Sequence, residues 1–220
     1  MLLDSLEEGV VAIDRTWRAV VFNRALRDIH GHPADLPPAD AHLASLAQLR
    51  HPDGTPIAPD ETSLATALAS GTARDSEAII REPGRPDRYV AASAHPLLGR
   101  AGQPIGAVAT VRDITEQRRA EQFRDCQLAV ARVLARPGSL AALGAEAMGL
   151  VGRMLGWSYL SLRLVEPATD TLRRVAVWQP DGLDLADLFP GRLPRSSHEI
   201  MTTVWSTGQP VWEPDLENSR

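Results

Sequence analysis

Three strand-length segments follow one another in the first half of the chain, and only short turns separate them. The segments are Asp75–Arg81, Arg88–Leu98 and Pro104–Arg112. Pro83-Gly84 marks the first connection, and two glycines mark the second. Connections of this length join antiparallel neighbours, because a parallel crossover needs roughly a dozen residues or more. The sequence therefore predicts an antiparallel three-stranded meander.

A hairpin at the start of the chain supplies two further strands. Glu8–Asp14 and Arg18–Phe22 flank Arg15-Thr16, and both are rich in β-branched or aromatic residues. Asn23 follows the second strand, where a helical pattern over Arg24–His30 begins. A side-chain oxygen at this position accepts a backbone N–H that the helix leaves free, so Asn23 is predicted to be a helix cap.

Two more helices are predicted between the hairpin and the meander. The first is at most a short helix near Ala41–Leu49, because the six prolines of Pro33–Pro59 otherwise predict loops, and the second covers Glu61–Ser70 with Asp60 as its cap. Five strands in two groups, with helices between the groups, predict an α+β fold. We expect a five-stranded antiparallel sheet with helices on one face. The space between the sheet and the helices is the natural place for a small-molecule pocket.

A long helix is predicted directly after the last strand. Asp113 and Glu116 have the spacing of a capping box, in which each side chain satisfies a backbone N–H near the other. The run Gln117–Ala135 is rich in good helix formers. Apolar residues repeat along it at the spacing of a coiled-coil seam, so we expect a homodimer through this helix. The seam residues are Phe123, Cys126, Val130 and Val133.

The remainder of the chain predicts an incomplete α+β unit. A hairpin and two helices are too few to bury a proper core. The predicted elements are a helix from Ser139 to about Leu155, strands Ser158–Glu166 and Thr171–Gln179, a loop over Pro180–Pro194 and a helix near Ser197–Ser206.

Composition excludes several classes of function. The net charge of −5 argues against a nucleic-acid partner, because binding phosphate needs a basic face. All 23 basic residues are Arg, so the chain has no P-loop, Schiff-base or kinase lysine. Its one cysteine, Cys126, excludes an internal disulfide and a Cys-rich zinc site. No apolar run could span a bilayer and no signal peptide precedes the first strand, so we expect a cytoplasmic protein without membrane contact.

Residues 1–116 resemble a PAS domain, the sensory fold of bacterial signalling proteins. The strongest part of the resemblance is Asp113-Ile114-Thr115, which is close to the C-terminal signature of that family. The matching segments are EGVVAID, VVFNRAL, HPDGTPI, ETSLATALASG, Ala91–Leu98 and Gly106–Glu116.

Residues 126–220 resemble the N-terminal part of a GAF domain, through LGWSYLSLRLVEPATDTLRRVAVW and VWSTGQPVWEPDL. Residues 113–136 would then be the signalling helix between the two domains. The combined resemblance implies a relay module of two-component or transcriptional regulation. Such a module senses a small molecule or partner in the PAS domain and passes the signal through Asp113, Thr115 and Glu116. The output domain, a histidine kinase or a PP2C-type phosphatase, is absent from this chain.

Neither a haem nor a covalently bound flavin is expected. Haem-binding PAS domains use a histidine on the helix before the meander, and Glu61–Ser70 contains none. Flavin sensors of the family use a cysteine in an early helix, whereas Cys126 lies outside the domain. The identity of any ligand stays open.

The histidines invite a metal hypothesis, but their pattern does not favour one. His30, His32, His42 and His51 share a loop-rich region with acidic residues. Zinc needs about four convergent donors, and this region offers no helical face to align them. We therefore expect solvated loop residues and no metal site.

Ser197-His198-Glu199 resembles the phosphoacceptor box of histidine kinases. That box needs a long helical hairpin, which the prolines and glycines on either side exclude, and no other catalytic constellation occurs. Two alternatives stay open. The chain is the N-terminal fragment of a sensor histidine kinase, which ATP-dependent autophosphorylation would favour. Otherwise it is a structural dimerisation module with an empty pocket, which a co-purified small molecule would contradict.

Overall fold

Two separate units make up the chain, and each has its own antiparallel sheet. The units are Met1–Ala120 and Glu121–Arg220. A computed structural model describes residues 2–182, 190–197 and 199–212. His198 therefore lies outside the described residues, and its role stays a prediction.

The first unit has six strands and three helices, and a fourth helix begins at its end. The strands are β1 Gly9–Asp14, β2 Ala19–Phe22, β3 Leu49–Arg50, β4 Arg74–Ile80, β5 Arg88–Leu98 and β6 Pro104–Asp113. The helices are α1 Arg24–His30, α2 Pro38–Gln48, α3 Ser63–Ser70 and α4 Thr115–Leu134.

All neighbouring strands of this sheet are antiparallel, in the order β2-β1-β6-β5-β4-β3. The predicted α+β class, hairpin and meander are confirmed, whereas the count of five strands is wrong. The sixth strand, β3, is a two-residue element in which Leu49 pairs with Ile80 and Arg50 with Ile79. Two residues show no alternating pattern, so sequence periodicity could not reveal this strand.

Helices α1, α2 and α3 pack on one face of the sheet and form the core with it. Leu26 of α1 and Ile13 of β1 are the largest fully buried side chains. Small residues make up part of the remaining core; Ala94 on β5 and Ala107 on β6 are fully buried. Alanine side chains of the sheet also line a cavity between the sheet and the helices.

The start of α3 differs from its prediction. Residues Pro59–Glu61 form a turn of 3₁₀-helix, and α3 begins only at Ser63. The cap is Thr62, whose Oγ1 accepts the N–H of Ala65 at 3.2 Å. Asp60 is therefore not the cap, because the 3₁₀ turn places it before the helix.

The second unit contains the end of α4, two more helices and a three-stranded sheet. Its sheet is antiparallel in the order β7-β8-β9, so the hairpin is confirmed, but β9 lies where a loop was predicted. The elements are α5 Leu140–Leu155, β7 Leu160–Glu166, β8 Thr171–Trp178, β9 Arg192–Pro194 and α6 Glu199–Thr207.

The predicted seam on α4 is only partly exposed. Cys126 and Val133 are buried within a single chain, Val130 is half-buried, and Phe123 is 52% exposed. Of the four predicted seam residues, Phe123 is therefore the one that is exposed. Across the described ranges of the chain, no helix has both the length and the apolar character of a membrane span.

Helix α5 approaches β8 closely because glycines face the sheet. A Cβ atom added to Gly152 would overlap the Trp178 indole. We predict that Gly152→Ala lowers the free energy of unfolding of the second unit by about 1–3 kcal/mol through overpacking. This loss opposes the gain of up to about 1 kcal/mol that alanine normally brings to a helix. Urea denaturation followed by tryptophan fluorescence measures the change.

Gly149→Ala on the same helix is the matched control. A Cβ there would lie 3.3 Å from Trp178 Cδ1 and 3.1 Å from Nη1 of the flexible Arg153 side chain. This substitution should be tolerated. Equal losses from both variants would contradict the close approach at Gly152.

Candidate functional site

A cavity of about 140 Å³ lies between the inner face of the first sheet and the helices that cover it. Its sheet side is mostly apolar, with Ser76 and Glu77 of β4 as the polar members; the apolar members include Phe22, Val90, Ala92, Ala109 and Val111. An apolar cavity of about 150 Å³ can hold a molecule of the size of benzene. The site therefore fits one small ring, and it is smaller than the roughly 300 Å³ or more of most ligand pockets.

His30, at the end of α1, lies against the cavity and is 5% exposed. Its Nδ1 is 2.8 Å from Oε1 of Gln48. An amide oxygen can only accept, so Nδ1 carries the proton in this arrangement. Burial lowers the pKa of His30 to about 4, because desolvation penalises the charged imidazolium. His30 is thus neutral near pH 7.

His32 stacks on His30, with ring centroids 5.5 Å apart and planes inclined by 12°. Its Nε2 is 2.9 Å from Oγ of Ser45, and that hydroxyl donates to the carbonyl of Ala41 at 2.8 Å. His32 Nε2 must therefore be the donor. Burial also lowers the pKa of His32. Both histidines are held neutral and hydrogen-bonded.

His42, on α2, is 7% exposed and also lines the cavity. Its Nε2 is buried without a hydrogen-bond partner among the described residues. Burial lowers the pKa of His42, because desolvation disfavours its charged form. A buried polar atom without a partner costs free energy. His42, together with His30 and Ser45, forms the polar wall of the cavity.

The histidines are therefore not the solvated loop residues that the sequence suggested. His30 and His42 lie on α1 and α2 and are buried, whereas His32 follows α1, His51 follows β3, and both are half-buried. The buried residues of α2 are Ala41, His42 and Ser45, at helical spacing. That stripe was the signal that could have placed His42 inside. Within the described ranges, no group of three or more His, Cys, Asp or Glu could hold a metal ion.

Two backbone groups of Tyr89 hold the junction between β6 and α4. The N–H of Tyr89 donates to Oγ1 of Thr115 at 2.9 Å, and its carbonyl accepts the N–H of Ile114 at 2.8 Å. Ile114 and Thr115 are both buried. Strand β5 thus stays paired to the chain for two residues beyond the end of β6, up to the first residue of the helix.

Charged side chains surround the same junction. Asp113 Oδ1 accepts the N–H of Thr115 at 2.9 Å, and Asp113 Oδ2 lies 3.5 Å from Nη1 of Arg88. Arg118, one turn into α4, pairs with Glu77 of β4. Glu77 is also among the residues that line the cavity, so a cavity-lining residue contacts the helix directly.

The predicted reciprocal capping box at this junction is not what the structure shows. Glu116 is mostly exposed and pairs with Arg119 at 2.9 Å. The helix begins at Thr115, because β6 continues through Asp113 and pairs it with Val90. Asp113 still bonds the first turn of the helix. The relay role of Asp113, Thr115 and Glu116 stays a prediction.

Asn23 does more than cap a helix. Its Oδ1 accepts the N–H of Leu26 at 3.1 Å, which caps α1, and also the N–H of Val10 at 2.8 Å. Its Nδ2 donates to the carbonyls of Leu3 and Glu8, each at 2.9 Å. One buried amide therefore ties α1 to β1 and to the residues before it. The sequence showed the cap, but only the three-dimensional pairing shows the other bonds.

A family model for the PAS fold matches residues 3–119. The chain belongs to the PAS family. The match covers more than half of the sequence and ends near the beginning of α4. It does not extend over residues 126–220, so the GAF assignment stays a prediction.

Solved PAS structures are similar to this PAS domain at low identity. The PAS domain of a Colwellia psychrerythraea protein is 17% identical, with a TM-score of 0.39, over 52% of this chain and 92% of that chain. A domain of a putative light and redox sensing histidine kinase from Haloarcula marismortui is 20% identical, with a TM-score of 0.40, over 52% and 95%. A sensory box histidine kinase/response regulator from Burkholderia thailandensis is 21% identical, with a TM-score of 0.41, over 57% and 92%. A search of the curated proteins finds no match.

The buried His30 predicts a pH-dependent stability of the PAS domain. The unfolded chain binds a proton at His30 near pH 6.5, whereas the folded domain does so only at about pH 4. The unfolded state binds more protons between these values, so stability falls as pH falls through this window. We expect a loss of roughly 3 kcal/mol from His30 alone. Urea denaturation of the full chain at pH 7 and pH 4.5, followed by circular dichroism, measures it.

His30→Gln removes the titrating group and should make this dependence shallower. His95→Gln, at an exposed position of β5, is the matched control and should behave like the original chain. The hydrogen-bonded carboxylates titrate below this window, because Thr or Arg donors lower their pKa values; they are Asp14, Asp53 and Asp87. An unchanged pH dependence in His30→Gln would contradict the assignment.

Thr115→Val should loosen the junction. Valine keeps the shape but removes the oxygen that accepts the Tyr89 N–H, and an unpaired buried donor costs about 1–3 kcal/mol. Because Tyr89 is 37% exposed, we expect the lower end of this range. Hydrogen exchange at the Tyr89 amide should be about fivefold faster, since about 1 kcal/mol corresponds to that factor.

Thr115→Ser retains the hydroxyl and should leave exchange at Tyr89 almost unchanged. Thr110→Val makes the same substitution at an exposed position of β6 and serves as the second control. Unaltered exchange in Thr115→Val would show that this hydrogen bond does not hold the junction.

Proposed function

We propose that the chain is a sensory and signal-relay module. Its PAS domain binds a small molecule in the cavity, and α4 carries the resulting change onward. The observation that carries this proposal is the placement of cavity residues directly beside junction residues on two strands. Val90 lines the cavity and Tyr89 bonds the start of α4. Val111 lines the cavity and Asp113, two residues later, bonds the same turn.

This adjacency supports a direct mechanical connection. Only Ile114 separates β6 from α4, and its N–H is bonded to β5. A ligand that shifts β5 or β6 must therefore shift the first turn of the helix or break these bonds. Signalling also requires two arrangements of similar free energy that the ligand distinguishes. The hydrogen bonds and ion pairs at the junction are of the size, about 1 kcal/mol each, that such a balance needs.

The further parts of the proposal concern the rest of the parent protein. Residues 126–220 would form part of a GAF domain that receives the signal from the helix. Phe123 and Leu134 would contribute to a homodimer, since both are exposed and apolar. The output would be a histidine kinase or a PP2C-type phosphatase in the cytoplasm. The hairpin β7-β8 with α5 packed against it supports an α+β second unit.

Hydrogen exchange in the presence of a cavity probe tests the relay. Benzene, which suits an apolar cavity of this size, is added to the full chain, and exchange is measured by mass spectrometry. We expect a change in exchange in the first turn of α4, residues 115–119. Thr115→Val should still bind benzene but lose this change, because it lacks the bond between β5 and the helix.

Ala109→Leu fills the cavity and should abolish both binding and the change in exchange. Thr110→Leu adds the same side chain at the neighbouring exposed position and is its control. Benzene binding without any change in residues 115–119 would contradict the relay. Full benzene binding by Ala109→Leu would contradict the placement of the sensory site.

A further inference from the structure

We propose that the PAS cavity recognises a small, uncharged aromatic alcohol of about the size of phenol, whose hydroxyl hydrogen-bonds with Nε2 of His42. This inference rests on the proposed function, in which the cavity is the sensory site. It adds the chemical class of the ligand and the residue that distinguishes it.

The shape of the cavity favours one flat ring. Ala92 and Ala109 lie on adjacent strands, where Ala92 pairs with Val111 and Ala94 with Ala109. The two methyl groups are thus diagonal neighbours on one face of the sheet. They form part of the apolar lining of the cavity, to which Phe22 also contributes. The volume of about 140 Å³ accepts a single six-membered ring.

Of the two buried histidines that line the cavity, His30 and His42, the second is the recognition residue. His30 is bonded to Gln48, and His32 to Ser45, so the protein itself satisfies those nitrogens. His42 is equally buried and lines the same cavity, yet its Nε2 has no partner within the described part of the chain. A ligand group that bonds this nitrogen would relieve a cost already present in the empty protein.

A hydroxyl is the group that suits this nitrogen. Nε2 of a neutral imidazole is a donor in one tautomer and an acceptor in the other, and a hydroxyl can both donate and accept. A phenol also places its apolar ring against the apolar lining while its oxygen reaches the polar wall. An apolar ligand such as benzene would fill the space but leave Nε2 without a partner.

The charges around the cavity argue against an ionised ligand. The charged lining residues that the structure describes are Glu61 and Glu77, and no Arg is among the lining residues described. The described lining therefore offers an anion no Arg side chain with which to pair. Glu77 is already paired with Arg118, and the side chain of Glu61 is 57% exposed to solvent. Neither offers a desolvated partner that would offset the cost of burying a cation.

Binding of phenol and benzene to the full chain tests the inference. Dissociation constants are measured at pH 7.5 by calorimetry for the original chain, His42→Leu and the exposed control His95→Leu. The original chain and the control should bind phenol more tightly than benzene. In His42→Leu the ratio of phenol to benzene affinity should fall about tenfold, because the hydroxyl would be buried without a partner. Benzene binding should persist, which shows that the variant is folded and its cavity intact.

Nitrogen NMR of the histidine rings in the original chain gives a second readout that needs no variant. Phenol should shift the Nε2 signal of His42 strongly, and benzene should not. A phenol preference that survives in His42→Leu, or an unshifted His42 signal, overturns the inference but leaves the cavity as a sensory site. Failure of both probes to bind the original chain overturns the inference and the proposed function together.

Discussion

The hydrogen bond from the Tyr89 N–H to Oγ1 of Thr115 is the contact on which the proposed relay depends. With the bond from Ile114 N–H to the Tyr89 carbonyl, it continues the ladder between β5 and β6 up to the first residue of α4. A helix joined to a sheet by one unpaired residue could rotate about that residue. Here the connecting residue, Ile114, is buried and its N–H is bonded to the Tyr89 carbonyl of β5. The start of the helix therefore cannot rotate without breaking a bond to the sheet.

The alternation of side chains along β5 and β6 lets the same strands serve the cavity and the outer surface. Successive residues of a strand point to opposite faces. Val90, Ala92, Ala109 and Val111 therefore face the cavity, while the residues between them lie on the other face. The small alanines have a cost, because space left in a core forgoes packing contacts. Larger residues would have stabilised the domain, but they would have removed the cavity. A bound molecule of matching shape restores those contacts.

Local sequence patterns predicted the elements whose signals lie within a few residues. The Asn23 cap, the first hairpin and the meander all depend on short-range rules for caps and turns, and the structure has them. Elements defined by distant partners could not be predicted in this way. Strand β3 has only two residues and exists because β4 lies beside it. Likewise, a histidine on a short helix is solvated or buried according to what covers it, so the environment of His42 became visible only with the fold.

The helix that carries His42 in the polar wall of the cavity begins without a side-chain cap. Asn23 caps α1 and Thr62 caps α3, each with a side-chain oxygen that accepts a backbone N–H. Helix α2, which carries His42, follows Pro37, whose side chain has no such acceptor. Helix ends without capping partners open at a lower free energy than capped ones. A ligand bonded to His42 would give α2 a polar contact that links it to the sheet through the ligand itself. The helix without a side-chain cap is thus one that an occupant of the cavity would stabilise.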